Sequence, residues 1–170
     1  MADRNIILIG MPGAGKSTVG TLLADHLDYA FVDTDDLIGK LTGRRLQDIV
    51  DRDGPIALRK IEEEVLLSFN PERHVVSTGG SAIYSHKAME HPRTKGIVIF
   101  LDVDLETLKR RIGDFKTRGI AIRPGQSFED LFNERLPLYE RHAHVKVDGT
   151  WKSPLQVRDE IVRLIRVSGN

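Results

Sequence analysis

The sequence predicts an α/β fold: a five-stranded parallel sheet with helices on both faces. Three observations carry that prediction. Five short apolar runs are separated by stretches of helical periodicity, which implies right-handed crossovers between parallel strands. The first run, Ile6-Ile7-Leu8-Ile9, is continuously apolar, as a strand buried on both faces has to be. A glycine-rich segment, residues 10–18, then leads directly into a helical pattern, so strand, loop and helix follow one another in a single unit.

The elements follow in order. Val19, Leu22, Leu23 and Leu27 recur at helical spacing behind the glycine loop. Ala30-Phe31-Val32-Asp33 reads as a short second strand. Leu37, Ile38 and Leu41 predict a short helix closed by Gly43. Leu46, Ile49 and Val50 begin another, which Gly54-Pro55 interrupts. Leu58, Ile61, Val65 and Leu66 mark a longer helix that stops near Asn70-Pro71. His74-Val75-Val76-Ser77-Thr78 is the third strand and ends in Gly79-Gly80. The run from Gly96 to Leu101 is the fourth. Leu105, Leu108 and Ile112 lie on a helix ending near Gly113. Val145-Lys146-Val147-Asp148 is the fifth strand, and Leu155 to Ile165 a final helix. There is no internal repeat and no low-complexity tract. In such a sheet the carboxyl ends of the strands form the binding edge. The glycine loop, Asp33 with Asp35, Ser77 to Ser81, and Asp102 all fall there.

Residues 113–127 differ from the rest, with no clear periodicity, three glycines and three basic side chains. A loop of this length without structure of its own is usually functional or disordered. Basic residues beside an anion site suggest a mobile lid that closes, excludes water and delivers an arginine.

Composition bounds the function. The length suits one domain. With 25 basic and 25 acidic residues, no overall field favours nucleic acid or a membrane surface. The absence of cysteine excludes disulfides, thiolate metal sites and a cysteine nucleophile. The first strand begins within a few residues of Met1, leaving no room for a signal peptide, and no apolar run is long enough to span a bilayer. A cytoplasmic protein is the expectation. His142 and His144, two apart, read as core-edge packing, not as a metal site. Trp151 reads as packing, and Arg110-Arg111 is too short to argue for nucleic acid.

Gly10-Met11-Pro12-Gly13-Ala14-Gly15-Lys16-Ser17-Thr18 fits G-x-x-x-x-G-K-[ST] in its required strand–loop–helix context. Glycines let backbone N–H groups approach phosphate oxygens, and the following helix aims its positive end at the same point. Lys16 can reach the β- and γ-phosphates, and the Ser17 hydroxyl can ligate Mg²⁺. Gly13, Ala14, Gly15, Lys16, Ser17 and Thr18 are therefore the expected triphosphate cradle.

Further motifs are Phe-Val-Asp-Thr-Asp at 31–35, Leu-Arg-Lys-Ile-Glu at 58–62, Ser-Thr-Gly-Gly at 77–80 and Glu-Arg-Leu-Pro-Leu-Tyr at 134–139. Together with the glycine loop, and over nearly the whole chain, these resemble the shikimate kinase family of nucleoside-monophosphate-kinase-like proteins. The resemblance implies strand order 2-3-1-4-5, one kinase domain over 1–170 with acceptor-binding helices within 34–70, and a lid at 113–127. It implies that Asp33 supports Mg²⁺ and that Asp35 accepts hydrogen bonds from substrate hydroxyls and orients the attacking oxygen. A helix N-cap is the other reading of Asp35. Arg59 and Arg135 resemble the pair that grips the substrate carboxylate, a task suited to arginine's planar fork. Glu62, one helical turn from Arg59, would hold it. Gly79 and Gly80 would let the backbone approach the substrate ring. Arg110 resembles the residue on one adenine face, with Pro154 on the other. Two registers remain for the lid arginine. An ungapped one favours Arg118, whereas Arg123-Pro124 looks like the family's lid Arg-Pro.

The chain departs from the family in three places. Gly79-Gly80-Ser81 stands where three glycines are usual. Gly54-Pro55 and Leu58-Arg59 stand where Gly-Glu and Phe-Arg are usual. Gly125-Gln126 replaces the apolar pair after the lid Arg-Pro. None touches the glycine loop. The sequence reading is thus an ATP- and Mg²⁺-dependent kinase with the shikimate 3-hydroxyl as acceptor, a step of aromatic amino acid biosynthesis, working as a monomer. The alternatives are another acceptor such as homoserine or a sugar acid, or a non-catalytic nucleotide-binding regulator, which would have no use for Asp35, Arg59 and Arg135 together.

Overall fold

The structure, a computed structural model, describes residues 4–114 and 119–167. Five strands form one all-parallel sheet: β1 (Asn5–Ile9), β2 (Ala30–Asp33), β3 (His74–Ser77), β4 (Gly96–Asp102) and β5 (Val145–Asp148). Their order is β2-β3-β1-β4-β5, as the resemblance implied. β1 lies at the centre, with Ile6 opposite Val75 on one side and Ile97 on the other. All five of its residues are buried, which accounts for the unbroken apolar run.

Helices α1 (Lys16–Leu27), α2 (Thr34–Thr42), α3 (Leu46–Asp53), α4 (Pro55–Ser68), α5 (His86–Lys95), α6 (Leu105–Ile112), α7 (Phe128–His142) and α8 (Pro154–Val167) cover the sheet. Gly43, at φ 66°, closes α2, and Pro55 opens α4 where its missing N–H has no helical partner to lose. Leu41, expected on the apolar side of α2, is 72% exposed; Ile38 is the apolar residue α2 buries. Trp151, expected to pack, is 76% exposed.

Two helices left no apolar signature. α5 is polar, holds Pro92 and buries only Ala88 and Met89. α7 opens with a capping box between Ser127 and Asp130 and buries Phe128, Leu131, Arg135, Tyr139 and His142. That spacing is helical, but three of its five positions are ionisable, so hydrophobicity alone does not reveal it.

The main core packs around the sheet. A second, separate cluster, Ile38, Ile49, Leu58 and Val65, holds α2, α3 and α4 together. Ala121 completes it, so the stretch after the undescribed residues 115–118 is anchored to these helices. Ile120 is buried as well, and the Gly119 N–H donates to Gln47 Oε1 at 2.6 Å.

Candidate active site

The carboxyl ends of β1, β2 and β3 open into a cleft of about 570 Å³. Its floor is the glycine loop. Gly13 and Gly15 take φ of 85° and 93°, conformations that only glycine adopts without strain, and Gly15 turns the chain into α1 with no side chain capping that helix. The first turn of α1 therefore presents N–H groups to the cleft. Lys16, the first helical residue, lies 9% exposed and donates to the carbonyls of Gly10 (2.7 Å) and Met11 (3.0 Å). Burial pulls its pKa down to about 8, against the opposing pull of the Asp35 and Asp33 carboxylates.

β2 delivers the aspartates. The Asp33 Oδ1 caps α2 by accepting the Asp35 N–H at 2.9 Å, so the capping role open for Asp35 belongs to Asp33. Asp33 Oδ2 accepts from the Ser17 hydroxyl, which stands 3.3 Å from the Ser77 hydroxyl. Two hydroxyls and a carboxylate are the hard oxygen donors that Mg²⁺ takes, so this corner fits that ion. Asp35, freed from capping, points into the cleft, and its buried Oδ1 has no hydrogen-bond partner. Burial, together with neighbouring Asp33, pushes its pKa up to about 6 against the lowering effect of Lys16.

The opposite wall comes from α4, the turn after β3 and α7. Arg135 is 1% exposed, lines the cleft and donates to the Ala121 carbonyl at 3.1 Å. Arg59 lies with its guanidinium carbon 3.6 Å from the centroid of the Tyr84 ring, and Arg135 lies 5.4 Å from the same ring. The two arginines therefore converge on one tyrosine. The expected ion pair between Arg59 and Glu62 does not form. The Arg59 Nε has no partner, and Glu62 accepts instead from the Ser81 hydroxyl, because α4 turns Glu62 inward to 3% exposure while Arg59 rises toward Tyr84. Burial raises the Glu62 carboxyl to about 7, partly offset by that hydrogen bond.

The glycines of the turn are required by these side chains. A Cβ on Gly79 would strike Glu62 and come 2.9 Å from Asp35 Oδ1; one on Gly80 would come 2.7 Å from an Arg135 nitrogen. The Tyr139 hydroxyl donates to the Gly80 carbonyl at 2.6 Å and ties the turn to α7.

At the other end of the cleft, Pro154 lines the wall as expected, but Arg110 does not: it stacks on exposed Trp151 at 4.5 Å. Arg111 lines the cleft in its place, reaching the carbonyls of Gly13 and Gly149 at 3.4 Å. Of the two lid candidates, Arg118 lies outside the described residues, and Arg123 pairs with Glu134 at 2.6 Å. Asp102, placed at the binding edge by sequence, pairs with Lys146 at 3.0 Å instead of lining the cleft. Tyr84 and Arg111 are not singled out by the sequence, and Tyr84 leaves no signal there; Ser81 falls at the binding edge and stands out as a departure, but not as a partner of Glu62.

The family model described as shikimate kinase matches residues 12–166. A shikimate kinase of Sulfurihydrogenibium sp. (strain YO3AOP1) is 35% identical over 96% of this chain and 98% of its own length. Among solved structures, the shikimate kinase from Acinetobacter baumannii in complex with shikimate superposes with a TM-score of 0.90 at 32% identity, covering 98% of this chain and 94% of that one. The shikimate kinase from Aquifex aeolicus vf5 gives 0.79 at 33% identity, covering 98% and 99%.

Proposed function

Because this chain belongs to the shikimate kinase family, phosphotransferases that act on a hydroxyl group, we propose that it transfers the γ-phosphoryl group of ATP to the 3-hydroxyl of shikimate. The observation that carries this reading is the convergence of Lys16, Asp35 and Arg135 on one cleft beside the glycine loop.

The roles follow from the geometry and the charges. N–H groups of residues 13–18 and the Lys16 ammonium hold the triphosphate, with Arg111 and Pro154 flanking the nucleotide end. Ser17 and Asp33 hold Mg²⁺, which neutralises phosphate charge when bound. Arg135 and Arg59 bind the acceptor carboxylate, which orients the ring so that one hydroxyl meets Asp35. Asp35, ionised near neutral pH yet more basic than an ordinary aspartate, accepts that hydroxyl's proton as its oxygen bonds to the γ-phosphorus and the bond to ADP breaks. Gly79 and Gly80 leave room for the acceptor wall, and an arginine from 113–127, Arg118 in the ungapped register, closes on the transferring group. The α2–α4 helices form the acceptor side of the single domain. Every residue in this scheme comes from one chain, so one copy suffices. Among the described residues no helix is long and apolar enough to cross a membrane.

A coupled ADP-release assay over shikimate, homoserine and sugar acids tests the proposal. Turnover with shikimate far above the others is the expected result. Preference for a different acceptor would reassign the substrate, and ATP binding without release of ADP for any acceptor would leave a nucleotide-binding regulator.

A further inference from the structure

His86 and Glu90 of α5 and His142 at the end of α7 come together, and none of the three lines the cleft beside the glycine loop. One ligand atom from each lies within 4.8 Å of the others. His86 and Glu90 are four apart, hence on one face of α5. The His86 and His142 rings stand 5.9 Å apart, tilted by 31°. No motif joins these residues, since His142 is 56 positions beyond His86; the packing of both α5 and α7 against the turn at 82–84 assembles them.

The decisive atom is His142 Nδ1. His142 is 3% exposed and its Nδ1 has no hydrogen-bond partner. A buried ring nitrogen without a partner costs free energy, and native interiors rarely leave one so. His86 is exposed and Glu90 half-buried, so an ion can enter from solvent. Glu90 gives Oε1 to Arg93 at 2.9 Å, leaving its second oxygen.

We propose that His86, Glu90 and His142 form a second cation site, separate from the ATP cleft, for a divalent transition ion of the zinc class. Two imidazoles and one carboxylate are a zinc donor set with a fourth position open to water, and imidazole disfavours Mg²⁺ and Ca²⁺ relative to zinc. Tetrahedral bonds of about 2.0–2.1 Å draw the ligand atoms closer than they stand, and the exposed His86 side chain has the freedom to follow. The ion would clip α5 to α7, two helical turns from Arg135, and the site is independent of which acceptor the cleft takes.

The test uses chelator-stripped, full-length protein, Zn²⁺ titrated against a fluorescent zinc indicator, and the visible spectrum of the Co²⁺ form. One tight equivalent of Zn²⁺ is expected. His86→Ala should weaken its affinity at least about tenfold, Glu90→Gln should weaken it in the same direction, and both should alter the Co²⁺ spectrum. Asp33→Asn, which disables the Mg²⁺ corner, should leave zinc affinity unchanged. His142→Ala also opens a cavity, so the exposed His86 decides. Equal zinc affinity in wild type and His86→Ala, loss of zinc binding in Asp33→Asn, or no zinc binding at all would overturn the proposal.

Discussion

The Ser81 hydroxyl donates a hydrogen bond to the Glu62 carboxylate, and both groups are buried. Ser81 stands where the family usually has a third glycine, so here a side chain satisfies a carboxylate that would otherwise lack this partner. Removing it as Ser81→Ala leaves a buried acceptor unpaired, at a cost of about 1–3 kcal/mol. The expected results are a lower Tm and a Glu62 carboxyl titrating above its present value of about 7. A Tm unchanged from wild type would show that the bond contributes nothing.

Lys16 provides a buried ammonium at the glycine loop. Lys16→Met removes the charge and keeps much of the volume. Turnover should fall by about 10²–10³-fold or more, in line with the loss of a preorganised electrostatic group. Steady-state kinetics with saturating ATP checks this, and substantial residual phosphorylation would refute the role.

Arg135 is proposed as an acceptor-carboxylate ligand. Arg135→Lys keeps the charge but loses the planar fork, so acceptor KM should rise about tenfold or more with a smaller change in kcat. The tyrosine stack and the bond to Ala121 would be lost with it, so a thermal melt separates misfolding from lost binding. An unchanged KM counts against the carboxylate grip.

The two lid registers make opposite forecasts. Arg123 is already paired with Glu134 and 63% of its side chain is exposed. Breaking an exposed pair of this kind costs little. Arg118→Ala should therefore lower kcat more than Arg123→Ala, by about 10³-fold if it acts as an arginine finger. The reverse ranking would move the role to Arg123.

Asp35 and Glu62 set two pH dependences. Asp35 has to be ionised to accept a proton, so kcat/KM should fall as pH drops below about 6, with an apparent pKa that also carries the coupling to Glu62. For stability, both carboxyls hold their protons more tightly in the folded chain: about 6 against 3.8, and about 7 against 4.5. The folded state binds more protons in that window, so stability falls as pH rises from about 4 to 7. Glu62→Gln removes part of that loss, and its Tm minus the wild-type Tm should grow more positive across the window. A flat difference would show that Glu62 is not the buried acid described here.

Much of the site was legible because its chemistry is local. Gly13 through Thr18 sit in one contiguous motif, Asp33 ends a strand whose four residues were read correctly, and Asp35 follows in the first turn of α2. The helix that supplies Arg135 was harder to see. α7 carries Arg135 and Tyr139 on its buried face, where ionisable groups interrupt the apolar pattern. Arg110 and Arg111 both fit a helix end in sequence, and only the direction of each side chain puts Arg111, and not Arg110, in the cleft lining.

By itself the sequence determined the parallel sheet, the strand–loop–helix cradle and the family, because apolar periodicity and a glycine-loop motif are properties of neighbouring residues along the chain. Only the tertiary structure decided that Glu62 bonds Ser81 and not Arg59, that Asp33 and not Asp35 caps α2, and that His142 faces His86. Those outcomes depend on which way a helix is rotated against its neighbours, and that rotation is set by packing between segments that sequence order keeps apart.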